Sequence, residues 1–87
     1  MSSVPVNPIR AREVETLAAE LHAAGFLVTR DAAVEPAAIA AKLEVSRTML
    51  RRWRSELLGP PARKHGRLVL YPLAEYLDWS HEQRARR

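Results

Sequence analysis

The densest run of reactive side chains is Ser46-Arg-Thr-Met-Leu-Arg-Arg-Trp-Arg-Ser55, with four arginines, one threonine and two serines. Guanidinium groups and hydroxyls are donors suited to phosphates and to the acceptor edges of bases, and an arginine can grip guanine O6 and N7 together. At about 100° per residue on a helix, Met49, Leu50, Trp53 and Leu57 fall in one apolar arc. Thr48, Arg51 and Ser55 fall opposite, with Arg47 and Arg52 at the flanks. This outward face carries bases and hydroxyls and no acid, whereas a merely solvated face mixes signs. Arg51 lies nearest its middle and is expected to read a base; Arg47 and Arg52 are expected at phosphates. Arg54 sits nearer the apolar edge, within reach of Glu56 or a neighbouring helix. Met49, Trp53 and Leu57 are assigned to the core.

A second cluster, Arg63-Lys64-His65-Gly66-Arg67, runs into Leu68-Val69-Leu70-Tyr71, which has strand propensity. It predicts a two-stranded basic ribbon with His65-Gly66 at its tip, a shape whose cations suit the negative potential of a narrow minor groove. Catalytic chemistry finds no such support. His22, His65 and His81 stand singly, and no carboxylate pair, nucleophile with a base, or glycine-rich phosphate loop is present. With no cysteine there is no thiolate metal site and no disulfide framework. No catalytic residue, metal, cofactor or small-molecule ligand is expected.

Charge points the same way. Residues 46–87 hold ten basic and four acidic residues, a net +6, while residues 1–45 hold four basic and six acidic, a net −2. A phosphate-facing half would show such a split, because each neutralised phosphate releases condensed counterions. No secretory signal and no apolar run of spanning length is seen, so a cytoplasmic, nucleoid-associated protein is expected, with no membrane partner.

The elements that must position these residues are legible in outline. A flexible start over residues 1–7 leads to Asn7-Pro8, an N-cap with proline at the first helical position. Ile9, Val14, Leu17, Ala18, Leu21 and Ala24 then form a helical stripe that Gly25 ends, giving a helix over 8–24. Residues 26–35 are ambiguous between a short strand and a connector. Pro36 opens a second, alanine-rich helix, Glu44-Val45 breaks it, and Ser46 caps a third. Helix, three-residue break and capped helix make a helix-turn-helix over 36–57. Gly59-Pro60-Pro61 stops it, the ribbon occupies 62–71, and Leu73, Tyr76, Leu77 and Ser80 predict a closing helix over 72–85. The fold class expected is mainly α with a small β-wing, one domain over 8–85.

Val45-Ser-Arg-Thr-Met-Leu-Arg-Arg-Trp53, with Gly59-Pro60-Pro61, Lys64-His65-Gly66-Arg67, Tyr71 and Trp79 after it, resembles the excisionase and MerR-like winged helix-turn-helix proteins, including AlpA-like small regulators. The likeness covers roughly residues 36–80. It departs in two places: a helix and connector precede the helix-turn-helix, and Glu44 stands where glycine is common.

The resemblance implies a recognition helix in the major groove of double-stranded DNA, contacting it through Arg47, Thr48, Arg51, Arg52 and Ser55. It implies a wing of Arg63, Lys64, His65 and Arg67 against the backbone or minor groove. It further implies an excisionase, a recombination directionality factor of a mobile element that binds adjacent sites, bends DNA and assists a tyrosine integrase. Self-association on DNA would then use the first or the closing helix. The alternatives are a small repressor dimer on a palindromic operator, a protein-interaction adaptor, or a module like a phage terminase small subunit.

Overall fold

Four helices and a three-stranded antiparallel sheet form the protein, seen in a computed structural model that describes residues 8–86. The order is α1 (Pro8–Ala23), β1 (Ala33–Val34), α2 (Pro36–Leu43), α3 (Arg47–Ser55), β2 (Arg63–His65), β3 (Leu68–Pro72) and α4 (Leu73–Ala85). The mainly helical character and the basic hairpin expected from the sequence are both present. The expected flexible segment 1–7 and the Asn7 cap lie outside the described residues.

Local chemistry sets most boundaries. At the end of α1, Phe26 N–H donates to the Leu21 carbonyl (3.1 Å) and Gly25 N–H to that of His22 (3.0 Å), with Gly25 at φ 97°. That is the Schellman cap glycine favours, and it folds Phe26 back onto the core. The same bond pattern closes α2, but there Glu44 takes the left-handed position, φ 58° and ψ 43°. Glu44 therefore takes, as a non-glycine residue, the left-handed conformation that glycine favours at such a cap. Residues Glu44-Val45-Ser46 then lead straight into α3, whose first turn the Ser46 hydroxyl caps by accepting from Met49 N–H at 2.9 Å.

The ambiguous stretch 26–35 is a tight hairpin. Val28 bridges Val34, Thr29 N–H donates to the Ala33 carbonyl at 2.8 Å, and the Thr29 hydroxyl accepts from Ala33 N–H at 3.0 Å. β1 emerges from it and pairs with the far end of β3, Ala33 opposite Pro72 and Val34 opposite Tyr71. The sheet order is β1-β3-β2.

Val34, Ile39, Leu50, Tyr71 and Leu73 are the largest fully buried side chains, and Leu17, Leu21 and Tyr76 close over them. Each such apolar burial stabilises by about 1.5–3 kcal/mol. The alanines of α2 serve this core, with Ala38 and Ala40 buried beside Ile39. Across the outside of α1 and α4, Arg10 bonds both Glu13 (3.3 Å) and Asp78 (2.8 Å).

Four expected core positions are corrected: Met49 and Leu57 of the α3 arc, and Ile9 and Ala24 of the α1 stripe, which is expected to face the core, are all exposed. Leu57 is 93% exposed and Met49 41%, and Ile9 at the start of α1 is 72% exposed. For Leu57 the cause is that α3 ends at Ser55: Leu57 sits at φ 58° in the turn beyond, so the angular projection of a continuous helix no longer applies. Only Leu50 of α3 is buried, while Trp53 is half-buried against the core, so the docked arc is narrower than the apolar one.

Candidate nucleic-acid interface

α3 presents the face its sequence predicts. Arg47, Thr48, Arg51, Arg52 and Ser55 are all exposed. Among the described residues, the side chains of Arg47, Thr48 and Arg51 have no hydrogen-bond or ion-pair partner. The other two are engaged locally. Arg52 Nε reaches Glu56 Oε2 one turn on at 3.5 Å, and the Ser55 hydroxyl donates to the Arg52 carbonyl at 2.9 Å. The first turn of α3 carries Arg47 and no acid. A cation there is opposed by the helix dipole, so this charge works against the isolated helix and suits an anionic partner.

What holds α3 at this angle is a mixture of packing and polar ties. Leu50 fills the core, and Trp53 lies under Gly59, where an added Cβ would come within 3.1 Å of the indole Cε3. Gly59 also adopts φ 78°, so the stop after α3 depends on glycine twice over. Arg54 Nη1 donates to the hydroxyl of buried Tyr71 at 3.0 Å, a bond from α3 to β3 rather than to Glu56.

The hairpin β2–β3 pairs Arg63 with Leu70, Lys64 with Val69 and His65 with Leu68. Its two-residue loop is Gly66-Arg67, with Gly66 at φ 65°, as a two-residue hairpin turn with glycine first requires. Paired residues share a face and neighbours alternate. Lys64 therefore lies on the face of Val69 and Tyr71, the face tied to α3, while Arg63 and His65 lie on the other. Arg63 Nη2 forms an ion pair with Glu75 Oε2 in the first turn of α4. Lys64, His65 and Arg67 are exposed and, among the described residues, have no side-chain partner.

The fold thus leaves Arg47, Thr48 and Arg51 on one exposed face of α3 and Lys64 exposed on the hairpin face that carries Tyr71, with Arg63 on the opposite face. Tyr71 and Glu75, which hold two of the arginines, were not singled out for this role in the sequence. Their signal lies in strand register and helix docking, which no local pattern carries. No group of three or more His, Asp and Glu is placed to hold a metal among the described residues, and no helix there is long and apolar enough to cross a membrane. Compared with protein families, with curated proteins and with solved structures, the chain matches none.

Proposed function

We propose that this protein is a winged helix-turn-helix that binds double-stranded DNA, with α3 in the major groove and the β2–β3 hairpin beside it. The observation that carries the reading is the exposed, acid-free face of α3, on which Arg47, Thr48 and Arg51 are left without partners among the described residues. The element order supports it, since α2 and α3, joined by the short turn 44–46, are followed by a basic hairpin on the same sheet as β1. Arg51 reads a base edge, Thr48 adds a short donor beside it, and Arg47, Arg52, Lys64 and Arg67 neutralise phosphates. Within this function, the role of an excisionase that assists a tyrosine integrase rests on the resemblance of residues 45–53, 59–61 and 64–67. An in vivo excision assay tests that role, and excision unchanged by deletion of the gene refutes it.

A duplex titration over a range of salt tests the function itself. The logarithm of affinity falls linearly with the logarithm of salt, with a slope of about −0.9 per neutralised phosphate. Arg51→Ala removes about 1–3 kcal/mol of discrimination between the preferred duplex and a scrambled one. Absence of duplex binding at low salt refutes the proposal.

A further inference from the structure

Two of the basic residues that flank the candidate interface are engaged by other elements of the fold. Arg54 donates to the Tyr71 hydroxyl, and Arg63 is ion-paired with Glu75. The register places these contacts on opposite faces of one hairpin, because Arg63 shares the face of Leu70 and Tyr71 is the next residue along. One tie runs from β3 to α3 and the other from β2 to α4. Between them, the hairpin is fixed against a helix on each side.

The ties differ in setting. Tyr71 is 1% exposed, so its hydroxyl needs a partner inside the fold, and Arg54, half-buried, supplies it. Glu75 stands in the first turn of α4, where the helix dipole favours its charge and keeps it available to Arg63. A two-stranded ribbon has little stability alone, so its angle must be set by what it docks against. Lys64 and Arg67 are carried by that ribbon, and their distance from the Arg51 face depends on its angle.

We infer that Arg54 and Arg63 are positioning residues that clamp the hairpin from both faces, through Tyr71 and Glu75, so that Lys64 and Arg67 meet the same duplex as α3. The inference rests on the DNA-binding reading and changes the part Arg63 plays in it, from a phosphate contact to a strut.

The test uses the full chain, a duplex that the wild type enriches from a random pool, and a scrambled duplex of the same composition. Glu75→Gln weakens the enriched duplex by about two- to fivefold, as a largely exposed ion pair allows, and Tyr71→Phe by about tenfold, since it removes a charged hydrogen bond to a buried hydroxyl. Arg63→Gln weakens it as Glu75→Gln does and shares that variant's salt slope, because either change frees the hairpin and with it Lys64 and Arg67. The exchanged pair Arg63→Glu with Glu75→Arg restores most of the affinity that Arg63→Gln loses, the part withheld reflecting the helix dipole, which favours Glu75 and opposes an arginine there. Should Tyr71→Phe fail to fold by circular dichroism, Arg54→Gln breaks the same tie without entering the core.

A slope reduced in Arg63→Gln but kept at the wild-type value in Glu75→Gln, together with an exchanged pair that stays weak, makes Arg63 a phosphate contact and overturns the inference while leaving DNA binding in place. Wild-type affinity in Glu75→Gln, or in both Tyr71→Phe and Arg54→Gln, also overturns it. Absence of duplex binding by the wild type removes both the reading and the inference.

Discussion

Leu57 bears two unfavourable features at once: a left-handed backbone at φ 58° and a large apolar side chain 93% exposed. The left-handed region costs a non-glycine residue about 1–2 kcal/mol, and burial returns almost nothing here. Leu57→Gly is therefore expected to stabilise the protein by about 0.5–1 kcal/mol, the added freedom of the unfolded chain offsetting part of the relief. The midpoint of urea unfolding should rise with no change in slope; a lower midpoint would show that Leu57 makes contacts that outweigh its strain. At the same scale, the interface residues divide by what their side chains already hold. Arg47, Thr48 and Arg51 hold no partner among the described residues, whereas Arg52 is held by Glu56.

At the scale of elements, α3 is short, with nine residues from Arg47 to Ser55. Helices of this length are marginal in water by themselves, so docking and capping must hold it. Leu50 supplies the docking and the Ser46 hydroxyl, 2.9 Å from Met49 N, supplies the cap. No acid in the first turn shares the load. Ser46→Ala is expected to cost about 1 kcal/mol, which for a domain of this size lowers the thermal midpoint by about 4–8 °C. A melt followed by circular dichroism checks it, and an unchanged midpoint would mean that water caps the helix equally well.

Over the whole molecule, α1, α2 and α4 close one core around β3. Tyr76 of α4 joins that core at 6% exposure, its ring 6.5 Å from that of Trp79. Burial pushes the Tyr76 hydroxyl above its ordinary pKa, while the nearby Arg84 charge pulls it down and offsets part of the rise. The unfolded chain titrates this group near its ordinary value of about 10. Its contribution is thus fully present below that pH, and is lost as pH rises from there through the higher folded value. Stability should fall with rising pH in this alkaline window, and Tyr76→Phe should make the fall shallower. Equal steepness in the two proteins would show that the hydroxyl is not held protonated by the fold.

What the sequence determined by itself was local. Gly25, Pro36 and Ser46 mark boundaries within a residue or two of those observed, because capping, proline geometry and left-handed turns act between near neighbours. The acid-free face of α3 was legible for the same reason: helical periodicity needs only the helix. The tertiary structure alone decided how the elements use each other. It paired 33–34 with 71–72, turned 28–34 into a hairpin, and ended α3 before Leu57, leaving that leucine outside the core. It also set Arg54 on Tyr71, 17 residues along the chain, and Arg63 on Glu75, 12 along. These pairings follow from strand register and helix docking, which depend on residues distant in sequence. A basic cluster can therefore be seen in the sequence, while which of its arginines the fold engages and which it leaves exposed without a partner cannot.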